Sequence, residues 1–361
     1  CLQRVAERAQ KTPQGEWILG HGWNQNNWEG GFGTAADLDA VAPNHPVYLT
    51  AKSLHAGWAN SQALHAASIT PGSPDPHGGS LQRDEHGTPT GILLEGAMEL
   101  VTNAIPMPTL PVVTQALKNA QERLWQLGLT GVHDFDRRQC FAALQVLHER
   151  GELCLRITKS IPLEDLGHAV ALGLHSGFGD DFLRIGSIKA FADGALGPRT
   201  AAMLQPFEGE PENRGMLLLD AEELFEHGRS AVQNGLSLAV HAIGDRAIHE
   251  VLNAFTQLRA FESQVSPEKP GLCHRIEHVQ IIHPDDAGRL AQMGIIASMQ
   301  PIHAPSDYLM ADRFWGDRTA NAYAWRTMLE HNTNMTFGSD APVESPNPIW
   351  GLHAAVTRQR Q

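Results

Sequence analysis

The strongest constraint in this sequence is a rhythm. Between residues 128 and 343 seven short apolar runs recur, most of them separated by helical patterns. The helical run VTQALKNAQERLWQLG closes on Gly128 and leads into LTGVHDFD, the first of the seven. The others are LCLRITKSI (153–161), LRIGSIKAFADG (183–194), LSLAVHAIGD (236–245), CHRIEHVQII (273–282), GIIASMQP (294–301) and NMTFGSDAPV (334–343). Each has strand length, and turn residues bound most of them. Strands alternating with helices imply a parallel sheet joined by right-handed crossovers. A closed (β/α)8 barrel needs eight strands. The chain opens CLQRVAERAQ, with helical spacing at Leu2, Val5 and Ala9, so the remaining strand is expected upstream of Cys1. The sequence thus reads as a piece of a longer protein. A doubly wound open sheet is the rival arrangement. No GxGxxG follows an early strand, which weakens a dinucleotide-binding reading.

Residues 15–110 break the rhythm. They hold Trp17, Trp23 and Trp28, a strand-then-helix pattern with a cap near Asn60, and a long turn-rich stretch around PGSPDPHGG. This region reads as an insertion over the mouth of the barrel, because three tryptophans need something to bury against. Two domains follow: 1–110, the end of the first barrel unit plus the inserted subdomain, and 111–361, barrel strands 2 to 8 with the site. With 361 residues and 42% hydrophobic content, one large core with a smaller appendage is within reach. The net charge of -13 argues against a nucleic-acid partner. No apolar run approaches the roughly 18–20 residues of a membrane span. The four cysteines are scattered without a CxxC pair and read as reduced thiols, so the expected location is cytoplasmic.

Side chains alternate along a strand. In LSLAVH, His241 shares the small-residue face with Ala239 and Ser237, opposite Val240, Leu238 and Leu236. Lys189 shares a face with Ser187 and Ile185, and Asp340 with Gly338 and Thr336. His278 shares a face with His274, Ile276 and Gln280, a less clean case. Four strands thus bring Lys189, His241, His278 and Asp340 to their carboxyl ends, where barrel active sites are built. Singly, each has a plain structural reading: a hydrogen-bonded histidine, a lysine paired with an acid, an aspartate capping a helix. Together, two imidazoles and an acid are standard ligands for zinc or a similar divalent ion. Such an ion lowers the pKa of its water to about 7, and a nearby carboxylate can take the proton.

At these residues the sequence resembles a known group. KAFADGALGPRTA, AVHAIGDRA, HRIEHVQ, ASMQPIH, YAWR and FGSDAPVE look like the amidohydrolase superfamily. Within it they resemble amidohydrolase family 3, the branch with N-substituted formamide deformylases and YtcJ-like proteins. TAADLDAVAPNHPVYL and HAGWANSQAL match that branch's insertion. The resemblance implies an α/β fold, a distorted TIM (β/α)8 barrel of the metal-dependent hydrolase type with a large insertion after strand 1. It implies one or two divalent ions, with zinc the expected metal. Lys189, as a carbamate formed with CO2, would be the strand-four ligand, His241 and His278 the ligands of strands five and six, and Asp340 the strand-eight ligand and proton shuttle. The family's strand-one HxH pair has no counterpart, since no HxH occurs in the sequence. Strand 1 and the small β-sandwich are therefore expected to be missing here.

His55 and His303 are further candidates for binding substrate. Asp193 and Arg199 follow Lys189 and either bind substrate or order their loop. His133 and Asp134 are candidates for supporting the ligands, and Asp245 for capping the helix that follows His241. The implied activity is hydrolysis of an amide or other non-peptide C–N bond in a small-molecule substrate, without nucleic-acid or membrane partners and with a homodimer as the candidate assembly. Two alternatives stand beside it: a barrel lyase with Lys189 as Schiff-base nucleophile, and a catalytically incomplete barrel that binds a ligand or partner.

Overall fold

A computed structural model describes residues 1–265 and 271–359. The chain divides into two compact units. The first comprises Cys1–Met107 with the segments Gly194–Thr200 and Pro342–Glu344. The second holds the remainder.

In the first unit, strands β1 (Ile18–Trp23), β2 (Val47–Ala51), β3 (Ala56–Ala59), β4 (Gly79–Arg83) and β5 (Pro89–Glu95) form one sheet in the order β1-β2-β3-β5-β4. Only β1 and β2 pair in parallel; the other pairs are antiparallel. An aromatic cluster organises one side. Trp23 stacks on Trp28 at 5.8 Å and meets Trp58 edge-on at 6.1 Å. Trp17 packs in a second cluster with Leu93, Ala97 and Val101. The expected cap is present: the Asn60 side chain accepts the Ala63 N–H and begins the helix Ser61–Ala66. The same oxygen accepts the Val47 N–H at 2.9 Å, tying that helix to β2.

In the second unit all seven strands expected from the rhythm are found. They are β6 (Gly131–Asp134), β7 (Arg156–Pro162), β8 (Leu183–Phe191), β9 (Ser237–Ala242), β10 (Arg275–His278), β11 (Ile296–Met299) and β12 (Met335–Phe337). Every pair is parallel and the spatial order follows the sequence. That order decides between the two architectures. A doubly wound sheet reverses direction at a switch point. Here each crossover advances the same way, so right-handed crossovers set the helices on one face and leave the other as the inside of a curl. The curl is visible in a contact. β6 and β10 stand four strand spacings apart, about 19 Å in a flat sheet. Yet Arg275 of β10 donates to Nδ1 of His133 of β6 at 3.1 Å. The sheet is therefore a half-barrel, with β6 and β12 at its edges among the described residues. No helix among those residues is long and apolar enough to cross a membrane.

Helices cover the outer face. Ile248, Val251, Leu252 and Phe255 form the wholly buried stripe of the helix Asp245–Val265. Behind β10, His274 is fully buried against Phe255. Its Nδ1 accepts the Leu238 N–H at 3.0 Å, so Nε2 carries the proton facing Glu262 at 3.2 Å. Burial holds the His274 pKa below 6.5. The folded chain therefore binds this proton less readily than the unfolded chain, and stability falls as pH drops through 6.5 toward the folded value. One such group contributes at most about 1.4 kcal/mol per pH unit. Urea midpoints measured as the pH is lowered below 6.5 are expected to fall, and to fall less steeply in His274→Asn. Equal slopes would contradict the assignment.

Candidate metal centre

The site is built at the carboxyl ends of β8 to β12. His241 is the penultimate residue of β9, with 2% of its surface exposed, level with Phe191 of β8 and Glu277 of β10 in the two ladders. Its ring lies 5.1 Å from Phe191 and meets His278 edge-on at 4.5 Å. His278 reaches that position by breaking the pleat. Alternation along β10 assigns the inside to Arg275 and Glu277 and would turn His278 outward with His274. His278 has φ +80° and Val279 φ +44°, two left-handed residues in succession. For a β-branched valine this is an outlier, and each such residue costs about 1–3 kcal/mol. The twist re-aims His278 at His241. Asp340 likewise owes its place to a turn: it lies beyond the end of β12 at Phe337, with φ +55°.

His303 comes from the 3-10 turn Pro301–His303 that follows β11, and its ring lies 6.1 Å from that of His278, nearly parallel. Its Nε2 is 3.8 Å from Asp340 Oδ2. Donor atoms of His278, His303 and Asp340 all lie within 4.8 Å of one another. A small open pocket lies beside them, lined among others by His278, Met299, Gln300, His303 and Trp325. Gln300 sets the tautomer of His278. Its NH2 donates to the Ser298 carbonyl at 3.0 Å, so its oxygen faces His278 Nδ1 at 2.7 Å and must accept. The proton then sits on Nδ1, and Nε2 presents the lone pair a metal ligand needs. The donor set fits a divalent ion of zinc type: imidazole and carboxylate, mutually close, with one imidazole held in the ligating tautomer.

Lys189 sits on β8, 6% exposed, with Nζ 4.0 Å over the Phe191 ring and 5.4 Å from that of Phe135. Nζ donates to the Ala190 carbonyl at 3.3 Å. Among the described residues no carboxylate is ion-paired with it, so the plain structural reading of a lysine paired with an acid does not apply. Burial brings its pKa down to about 8, against the opposing influence of Glu277 and Asp340. Arg275 and Glu277 stand beside these groups on β10, Arg275 level with Ala239 and Glu277 level with His241. Arg275 Nε donates to Glu277 at 2.8 Å and its NH2 to Ser298 at 2.7 Å. The signal was present: in RIEH the two charged residues alternate with Ile276.

Asp193, a candidate for substrate, is wholly buried. Its carboxylate accepts the N–H groups of Ile243 at 3.0 Å, Gly244 at 2.8 Å and Ala202 at 2.9 Å. Its Oδ1 is also 3.6 Å from His241 Nε2. The group is built to clamp the loop that follows His241. Gly244 takes part in the same close approach, since a Cβ there would meet the Ala202 carbonyl oxygen at 2.0 Å. Asp245 opens its helix but sends its carboxylate to the Leu204 N–H at 2.8 Å as well as to Arg246. His55 and Arg199 belong to the first unit. There His55 Nδ1 pairs with Glu95 at 2.7 Å, and Thr200 donates to the other Glu95 oxygen. Asp134 pairs with Lys159 at 2.6 Å instead of supporting a histidine. It forms a second close group with Asp136 and Cys140, in which the Lys159 ammonium already supplies the positive charge.

A model of the "Amidohydrolase family" matches residues 1–361. The YtcJ protein of Bacillus subtilis (strain 168) is 35% identical over 366 residues, covering 99% of this chain and 67% of that protein. N-substituted formamide deformylase of Arthrobacter pascens is 26% identical over 375 residues, covering 99% of this chain and 67% of that protein. A solved structure of an uncharacterized metal-dependent hydrolase from Pyrococcus furiosus superposes with a TM-score of 0.74 at 29% identity, covering all of this chain and 71% of the other. The chain thus spans about two thirds of the length of these curated relatives.

Proposed function

Because the chain belongs to the amidohydrolase family, we propose that it is a metal-dependent hydrolase cleaving an amide or another non-peptide C–N bond of a small molecule. The observation that carries this reading is the convergence of His241, His278, His303 and Asp340 at one end of a singly wound parallel sheet. A hydrogen-bonding role alone would not require His278 and Asp340 to sit in left-handed backbone. His241, His278 and Asp340 are the proposed ligands, and zinc the proposed ion, since imidazole and carboxylate suit it. Once bound, the ion supplies Lewis acidity toward a carbonyl oxygen and lowers the pKa of a water.

The chain's own groups do the rest. Asp340, one-third exposed, is open to substrate and takes the proton of the attacking water. It returns that proton to the departing amine nitrogen, so the carboxylate is regenerated each cycle. Gln300 keeps the His278 proton on Nδ1. Asp193 holds the loop that fixes the height of His241. Lys189 as an ammonium has no lone pair for a cation. Its lowered pKa, about 8, leaves part of it as free amine near neutral pH. That amine adds to CO2 and loses a proton, giving a carbamate whose oxygens are ligands.

The test is hydrolysis by the intact protein of a set of N-acyl amines, N-substituted formamides among them. Activity that a chelator abolishes and zinc restores is the expected result. Hydrolysis indifferent to chelator would overturn the reading.

A further inference from the structure

We propose that His303 is itself a ligand of the metal, beside His278 and Asp340, and not a substrate contact. The inference rests on the metal-dependent reading above and deepens it. Among the described residues, Nε2 of His303 is buried with no hydrogen-bond partner. The side chain is nine-tenths buried, so water does not freely solvate that nitrogen. A buried polar atom without a partner costs about 1–3 kcal/mol, and a fold keeps such an atom where something else engages it.

The surroundings say what does. Nε2 lies 3.8 Å from Asp340 Oδ2, beyond hydrogen-bond length, and the donor atoms of the three residues all fall within 4.8 Å of one another. That spacing suits three donors sharing one small cation. The backbone fixes the ring from below. The His303 N–H donates to the Gln300 carbonyl at 3.0 Å, and the helix Ala304–Trp315 starts at the next residue. Gln300 therefore acts on both imidazoles: its side chain sets the His278 tautomer and its carbonyl anchors His303. A residue that only touched substrate would need neither a buried unpartnered nitrogen nor this proximity to two other donors.

The experiment is titration of the chelator-treated intact protein with cobalt(II), followed by calorimetry and by visible absorption. His303→Ala is expected to weaken cobalt binding by about tenfold or more and to change the absorption bands. His303→Asp, which puts a carboxylate donor in place of the imidazole, is expected to bind more tightly than His303→Ala, a rescue that a purely structural role would not give. Wild-type affinity and spectrum in His303→Ala would overturn the proposal while leaving metal dependence intact. No cobalt binding by the wild type would overturn both.

Discussion

Replacing Asp340 by Asn is expected to lower kcat by roughly 10²- to 10⁴-fold, the usual worth of a positioned proton-transfer group. The substitution isolates chemistry from folding. Asp340 occupies left-handed backbone at φ +55°, a conformation asparagine also tolerates. An amide keeps the shape and one acceptor oxygen but cannot carry the proton from water to amine. With metal loading held equal in the two proteins, kcat and kcat/KM fall together and KM changes little. The acidic limb of the pH–rate profile, which reports the free carboxylate, is expected to disappear in the variant. A rise in KM with kcat unchanged would instead make Asp340 a substrate-binding residue.

Asp193→Ala is expected to damage stability as much as activity. The carboxylate is fully buried and accepts three backbone N–H groups, two from the loop after β9 and one from residue 202. Removing it leaves three buried donors without an acceptor, each worth about 1–3 kcal/mol. The terms do not simply add, because the loop can relax, so a loss of about 3 kcal/mol or more is expected. That corresponds to a fall in unfolding midpoint of roughly 5–10 °C, readable by calorimetry. Activity is expected to fall further than the folded fraction, since the freed loop follows directly on His241. Asp193→Asn keeps acceptor oxygen on one side only and should lie between the two. An unchanged midpoint in Asp193→Ala would show that the loop holds itself.

What was legible in the sequence follows how regular the backbone is. Lys189 and His241 lie inside their strands, the first just past a register shift between β7 and β8; counting by twos gives each an inward face, and both side chains are buried. His278 resisted the same counting. The reason is the φ +80° at His278 and φ +44° at Val279, which no periodicity announces. Asp340 was placed by alternation but sits beyond its short strand, aimed by a turn. The seven-strand half-barrel was readable because each strand is flanked by its own helix and turn. The hairpin of β4 and β5 was not, because Asp84, Gly87 and Pro89 make residues 69–96 read as turns. Asp193 shows the limit of residue type as a guide. A strand-end aspartate looks functional, and only the three amides around it show that it holds a loop. Arg275 and Glu277 show the reverse: a polar inner row was written in RIEH, and attention to the histidines passed it by.

Whether a divalent ion is held at the carboxyl ends of β9 to β12 is tested most directly by the metal content of the purified intact protein, measured by mass spectrometry beside His278→Ala. Zinc or a similar ion is expected in the wild type at one equivalent or more, with loss of at least one equivalent in the variant. A metal-free wild type that cobalt or zinc cannot load, or a His278→Ala protein with undiminished metal content, would contradict it.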